Sequence, residues 1–303
     1  MMTLLPLVQT ALELGLIGAL TVLALFLSYS MLNVCDLSTD GCFTLGASVG
    51  AVIAIAGHPY ASIGAAMLAG VLSGFITAFL QTKMGVDSLL AGIIMNTALY
   101  SVNIAIMGGS SLLNMNRTDT VFTKLQALGG GALDETNKLI IAMIAVAAVA
   151  AFLYLFLKTR IGLAIRATGN NPDMVRSSSI NPSMTTIVGL CVSNSFTALS
   201  GCLLAQSQKS VNIDIGSGMV TIALASLLIG GTFIRSRRIG FRIIGTVIGA
   251  FVFRLVYTIA LRFNMPAYML KLVSSVIVII AISGPYLKSR FPELARRMEK
   301  KKC

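Results

Sequence analysis

The sequence predicts an all-α integral membrane protein of about nine transmembrane helices, arranged as two inverted four-helix repeats joined by a connecting helix. Three observations carry that expectation. Apolar residues come in unbroken runs of roughly 17–25, the length a helix needs to cross ~30 Å of hydrocarbon. Of the 303 residues, 56% are hydrophobic and 11% charged, with mean hydropathy +0.87. A soluble domain carries about 25% charged residues, so the solvent for this chain is the lipid bilayer. Inside a bilayer every backbone polar group needs an internal partner, which leaves helices or a closed barrel. Barrel strands are ~10 residues long and alternate apolar with polar, and these runs do not alternate.

The apolar segments fall at residues 6–30, 42–57, 60–80, 89–107, 138–157, 184–206, 219–233, 243–261 and 269–283. They form one transmembrane domain over 1–285, with repeat one at about 6–107, the connecting helix at 138–157 and repeat two at about 184–283. A polar stretch, 108–137, separates segments four and five, and a basic tail, 286–303, follows the domain. The N-terminus lacks a basic n-region and a small-residue cleavage site, so segment one reads as a retained helix.

The formal net charge is +12. In a soluble protein that balance points to nucleic acid; here the positive-inside rule accounts for it, and no nucleic-acid partner is expected. The tail holds Lys288, Arg290, Arg296, Arg297, Lys300, Lys301 and Lys302 against Glu293 and Glu299. Arg235, Arg237, Arg238 and Arg242 follow segment seven with no acid among them, and Lys158, Arg160, Arg166 and Arg176 follow segment five against Asp173. The 108–137 stretch has Arg117 and Lys124 against Asp119, Asp134 and Glu135. Counting back from a cytoplasmic tail places all three basic stretches inside, the 108–137 stretch outside and the N-terminus outside. The tail itself reads as an anchor on the anionic inner leaflet or as a contact for a cytoplasmic subunit. The five cysteines show neither metal-ligand spacing nor a disulfide framework; Cys191 and Cys202 suit apolar packing.

Spacing suggests the repeat. Segment one is followed by Asn33-Val-Cys-Asp-Leu-Ser-Thr-Asp-Gly41, a short apolar segment and two more helices. Segment six is followed by Asn212-Ile-Asp-Ile-Gly-Ser-Gly218, a short apolar segment and two more helices. The first copy begins outside and the second inside, an inverted arrangement with short Gly-interrupted segments at matching positions, as in many transporters.

The 158–182 loop carries the most specific pattern. Asn171 suits an N-cap, Pro172 the first helical position and Asp173 the positive end of the dipole; Asn181-Pro182 ends the element. The expected product is a cytoplasmic helix of about two turns exposing Met174, Val175 and Ile180. It reads either as a solvated connection or as a docking helix for a partner.

This loop resembles the coupling loop of permease subunits in ABC importers of the branched-chain amino acid and simple-sugar class. Their Gly-x-x-x-Arg-Ala-x-Gly-x-Asn core is matched by Gly162, Arg166, Ala167, Gly169 and Asn171, and the Ile-Asn before the next helix by Ile180 and Asn181. The stretches 36–47 and 89–103 resemble a mostly uncharacterised subgroup of that class linked to aromatic amino acid uptake. The likeness runs from about Gly15 to Pro285. It implies that Gly162, Arg166, Gly169, Asn171, Pro172, Asp173, Met174 and Arg176 couple the chain to an ATP-binding cassette subunit. It also implies an extracytoplasmic substrate-binding protein, a second permease copy in a homodimer or heterodimer, and residence in a bacterial inner membrane. The chain itself needs no cofactor; ATP and Mg belong to the partner, since no Gly-x-x-x-x-Gly-Lys-Ser/Thr loop is present. Leu199-Ser-Gly201 echoes an ATPase signature only by chance. The solute is expected to be a small organic molecule, an amino acid above all.

Polar residues in apolar segments are candidate pathway positions. Asp36 and Asp40 lie where segment one ends, on a broken helix, or Asp40 caps the helix it precedes; Asp214 is the counterpart in the second repeat. Asn96, Asn103 and Asn194 bond across helices or line a pathway. Glu13 and Arg254 pair or snorkel. His58 reads as a turn residue, and Gly64, Gly70 and Gly74 as close-approach positions. No catalytic constellation is visible, so the chain is not expected to be an enzyme. An ion-gradient-driven secondary transporter is the alternative; it calls for a carboxylate at mid-membrane, and none is evident.

Overall fold

The computed structural model describes residues 4–128, 134–234 and 238–262, with isolated positions between 272 and 283. Apart from those positions, segment nine (269–283) lies outside the described residues, as do Arg235, Arg237 and the tail 286–303.

The described chain begins with α1 (Leu4–Leu25), which runs on through a wider π-helical turn (Phe26–Met31). Then come α2 (Thr39–Ile55), α3 (Pro59–Thr82), α4 (Ser88–Ile106), β1 (Leu112–Asn114), α5 (Val121–Leu128) and α6 (Asp134–Lys158). The remainder is α7 (Arg160–Asn170), α8 (Pro172–Ser177), α9 (Pro182–Gln208), β2 (Ser210–Asn212), α10 (Met219–Phe233) and α11 (Ile239–Arg262). The start signals are local. Asp87 accepts from Leu89 N at 2.9 Å and Asn181 from Ser183 N at 3.0 Å, and Pro59 and Pro182 occupy first-turn positions.

Among the described residues, six helices are long and apolar enough to cross a membrane: α1, α3, α4, α6, α9 and α11. The expectation that each segment crosses on its own is revised for α2 and α10, of 17 and 15 residues. The reason is where they start. Cys42 Sγ donates to the Asn194 carbonyl at 3.3 Å, Gly46 lies on Ala198 and Gly50 on Cys202, so α2 and α9 run side by side in one direction. Asn194 is near the middle of α9, roughly 18 Å from Pro182 at 1.5 Å per residue. Helix α2 thus begins at mid-bundle. Helix α10 also begins there, after Gly218 at φ +87°, and leaves in the opposite direction, with Ser226 and Gly230 packed on Gly249 and Gly245 of α11.

Helix α9 is the axis. Its polar side chains are costly toward lipid and are turned inward: Ser193 Oγ donates to the Ala24 carbonyl at 2.8 Å and Ser200 Oγ to the Ile17 carbonyl at 2.7 Å. Glycines set the spacing of its neighbours. A Cβ on Gly46 would collide with the Ala198 carbonyl, and one on Gly70 with that of Asn194. Gly64 differs from the expectation: nothing lies within 4 Å of a Cβ there. Large apolar side chains cover the outward faces, among them Leu68, Leu72 and Phe75 on α3, Ile93 and Ile94 on α4, and Ile144 and Leu155 on α6.

The bundle has two distinct ends. At one, β1, inside the 108–137 stretch read as a polar connection, pairs antiparallel with β2, which follows α9, Leu113 opposite Val211. There Gln206 Oε1 accepts from Val121 N at 2.9 Å, and its Nε2 donates to Ser62 Oγ at 2.7 Å, which ties α5 and α3 to α9. At the other end stand α7 and α8.

Candidate functional site

Two places gather the predicted residues. The first is the α7–α8 module. Thr159 Oγ1 accepts from Gly162 N at 3.2 Å and so starts α7, a helix that the sequence reading did not resolve. Gly162 packs on the backbone of Phe156 and Leu157, and Gly169 on the carbonyl of Met31. Both glycines admit a neighbouring backbone where a side chain would not fit. Thr168 and Thr185 hydroxyls meet at 2.8 Å, locking α7 to α9.

Asn171 then caps α8, accepting from Asp173 N at 3.0 Å and Met174 N at 3.1 Å, with Pro172 in the first turn. Met174 points away from the bundle, 67% exposed. Val175 does not share that exposure: it is 3% exposed and anchors α8, which corrects the expectation that it faces outward. With six residues, α8 has room for one outward and one inward apolar position. Asp173 and Arg176 form an exposed pair at 3.7 Å, a contact that water screens. Arg166 is half-buried and lies close enough to Arg242 for the two charges to repel. Arg242 Nη2 in turn donates to Ser30 Oγ at 2.6 Å, placing α11's first turn at this same end. Ile161 and Leu163 of α7 and Met184 of α9 are exposed apolar residues at the same end.

The second place is the mid-bundle junction. Asp36 is fully buried. Its Oδ1 accepts from Ser38 N at 2.9 Å and Ser38 Oγ at 2.6 Å, and its Oδ2 from Asn194 Nδ2 at 3.0 Å. Thr77 Oγ1 donates to Ser38 Oγ at 3.3 Å, joining α3 to the cluster. The reading of Asp40 as cap of its own helix is corrected: Ser38 occupies that N-cap position, and Asp40 caps α10, accepting from Gly218 N at 2.9 Å and Val220 N at 2.8 Å. Gly216 lets the α10 entry loop touch the Asp40 carbonyl. Asp214 is not the matching group; it is exposed, in a turn where Asn212 Oδ1 accepts from its N–H at 3.1 Å.

Asn103 Nδ2 donates to the Gly41 carbonyl at 3.2 Å, and Asn96 Oδ1 faces Gly41 from the same helix. Asn96, Asn103 and Asn194 therefore all border the start of α2. The Oδ1 atoms of Asn103 and Asn194 are buried without a partner among the described residues. His58 is exposed at the start of α3 and makes no capping bond. The partner of Asp40 was not to be found from sequence, although Gly216 and Gly218 flagging a tight entry to α10 were a signal.

A bundle with a packed two-helix platform at one end and polar-lined half-helices at its centre has parts for moving solute, and no described cluster of reacting groups. Residues 7–282 match the family described as branched-chain amino acid transport system, permease component. The chain belongs to that family. This permease is 30% identical over 266 residues to the tyrosine transport system permease protein of Clostridioides difficile, covering 88% of this chain and 86% of that one. It is 30% identical over 281 residues to an uncharacterised protein of Rickettsia prowazekii, with 91% and 96% covered. The ribose import permease protein of Escherichia coli K12 is 24% identical over 248 residues, with 82% and 75% covered. No solved structure matches. The permease is thus a multi-pass membrane component of an ABC transport system, a transport subunit and not an enzyme.

Proposed function

We propose that this permease is the membrane subunit of an ATP-driven importer for an amino acid, working by alternating access. ATP and Mg are handled by an ATP-binding cassette subunit that docks on α7 and α8, an extracytoplasmic binding protein delivers the solute, and a second permease copy completes the pathway. The single observation that carries this reading is the α7–α8 module: held by Gly162, Gly169, Thr168 and Val175, yet presenting Met174 outward. A rigidly seated helix with an exposed apolar tip can transmit a push; a solvated connection needs no such seating. The solute class is taken from the C. difficile relative, whose name specifies tyrosine.

Support for the orientation comes from charge. Lys158, Arg160, Arg166, Arg176 and Arg242 share the α7–α8 end, which the positive-inside rule assigns to the cytoplasm, with the N-terminus of α1 outside. Support for two inverted halves comes from α2 and α10, which leave mid-bundle in opposite directions, as the short helices of inverted-repeat transporters do.

One observation favours a second reading. An ion-coupled carrier calls for a mid-membrane carboxylate; the sequence makes none evident, and the fold makes Asp36 one. Its three hydrogen bonds suit a fixed structural carboxylate as well as a coupling one. The experiment is uptake into proteoliposomes holding the permease, the ATP-binding subunit and the binding protein. ATP-dependent uptake that survives collapse of proton and sodium gradients supports the importer. Uptake on a gradient alone, without ATP, overturns it in favour of the carrier.

A further inference from the structure

Basic residues from three helices converge at the α7–α8 end. Arg242, in the first turn of α11, reaches to the π-helical turn that ends α1: its Nη2 donates to Ser30 Oγ at 2.6 Å, and its guanidinium carbon lies 5.3 Å from the Phe26 ring centre. Arg166 comes to the same turn from α7. Gly169, three residues further along, rests on the Met31 carbonyl, and Arg166 lies near enough to Arg242 for the two charges to repel. Lys158, the last residue of α6, joins them through Tyr154. Its Nζ is 4.3 Å from the Tyr154 ring centre, and a Cβ on Gly240, two residues before Arg242, would lie 3.3 Å from the same ring.

None of the three forms an ion pair among the described residues; Asp173, the acid nearest to them in α8, pairs with Arg176. Like charges held close in partial burial repel more strongly than in water. Arg242 is tied to Ser30, and α7 is locked to α9 by the Thr168–Thr185 contact, so the arrangement is built into the packing. It calls for an anion. The 286–303 tail is a poor source of one, with seven basic residues against Glu293 and Glu299. The surroundings point to lipid instead. Leu155 of α6 and Phe241 and Ile244 of α11 are exposed within a turn of Lys158 and Arg242. The apolar outer faces of both helices therefore end at the cluster, where acyl chains give way to phosphates. Basic pockets between helices on the cytoplasmic side take anionic head groups.

We propose that Lys158, Arg166 and Arg242 bind the phosphodiester of an anionic phospholipid of the inner leaflet, its acyl chains lying along α6 and α11. Paired guanidinium N–H donors match phosphate oxygens, and a lysine adds a point charge. The phosphate relieves the Arg166–Arg242 repulsion at the point where α1, α7 and α11 meet, next to the α7–α8 module. The proposal goes beyond the transport reading and rests only on the orientation given with it. Its test needs no uptake, so either can fail alone.

The test uses purified full-length permease, delipidated and returned to nanodiscs of phosphatidylcholine with or without phosphatidylglycerol. It reads Tm and, by native mass spectrometry, the lipid that stays bound. Phosphatidylglycerol is expected to raise Tm and to be retained in preference to phosphatidylcholine. Arg242→Gln and Lys158→Gln are expected to weaken that retention about tenfold, whereas Arg176→Gln, which removes the same charge from the exposed face of α8, leaves it unchanged. Arg166→Gln gives a reversal of sign: in phosphatidylcholine alone it removes the repulsion and raises Tm, and with phosphatidylglycerol it removes a ligand and lowers it. A lower Tm in both lipids marks a merely structural arginine and overturns the proposal. Equal retention of the two lipids, or an equal loss in Arg176→Gln, overturns it in favour of diffuse attraction to a charged surface. Stabilisation matched by inorganic phosphate overturns it in favour of a free anion. Loss of the bound lipid when the ATP-binding subunit is added overturns it in favour of acids on that subunit.

Discussion

Asp40 on α2 caps α10 at Val220: its carboxylate oxygens accept from the backbone N–H groups of Gly218 and Val220 at 2.9 and 2.8 Å. The first N–H groups of a helix have no partner within it, and here a side chain from the other half of the chain supplies one. Asp40 thus fastens the two short helices that start at mid-bundle to each other.

Asp40→Ala removes two charge-assisted acceptors. A lost cap costs about 1 kcal/mol, and bonds to a charged group raise that to about 1.5–3 kcal/mol. The expected outcome is a lower Tm in detergent for Asp40→Ala, with Asp40→Asn between it and wild type, because the amide oxygen still accepts. A Tm unchanged in Asp40→Ala would remove this residue from the fastening.

The Asp36–Asn194 contact at 3.0 Å joins the α1–α2 connection to the axis helix at a fully buried point. Asn194→Ala leaves a buried carboxylate oxygen without its donor, and such a loss costs about 1–3 kcal/mol or more for a charged group. Asp36→Asn keeps the shape but discards the charge. The two changes are expected to couple by about 0.5–3 kcal/mol in a double-mutant cycle, measured by thermal unfolding of the four proteins. Strict additivity would mean that the charge of Asp36 adds nothing to its contact with Asn194. Asp36→Asn is also expected to leave uptake independent of ion gradients, which separates a structural carboxylate from a coupling one.

What the sequence disclosed follows the range of the interactions concerned. The bounds 219–233 for α10 coincide with those observed, because a continuous apolar run and a preceding glycine are local signals. The α7 helix was not resolved, because it buries only a narrow stripe, Gly162, Ile165 and Thr168, among basic and exposed residues. Val175 faces inward and not outward as the sequence suggests, because six residues hold too little periodicity to orient a helix. Gly64 and Gly70 look alike in sequence, yet one faces open space and the other the Asn194 carbonyl; only the neighbouring helix distinguishes them. The role of Asp40 depends on a partner far along the chain and leaves no local pattern.

That difference between glycines gives a paired measurement. Gly46→Ala puts a methyl group into the Ala198 carbonyl on α9, and overpacking of this kind costs about 1–3 kcal/mol. Gly64→Ala meets nothing and is expected to stay within about 0.5 kcal/mol of wild type. Thermal unfolding in one detergent compares them directly. Equal losses would mean that helix-intrinsic effects, and not the α2–α9 approach, govern both positions.

The α7–α8 end offers the sharpest separation of docking from folding, because neighbouring residues face opposite ways. Met174 is 67% exposed and Val175 3%. Met174→Glu places a charge on the outward tip and touches nothing in the bundle, so its effect on stability is expected to stay within about 0.5 kcal/mol. If α8 receives the ATP-binding subunit, the same change buries that charge in the contact and is expected to weaken co-purification of the subunit at least tenfold. Val175→Ala deletes methyl groups from a packed position, at about 0.5–1.5 kcal/mol by analogy with other small core deletions, and is expected to lower Tm before it alters docking. Pull-down and unfolding measured on both variants form a two-by-two comparison. Met174→Glu that retains the subunit fully would place the docking surface elsewhere, with the exposed Ile161 and Leu163 of α7 as the next positions to charge.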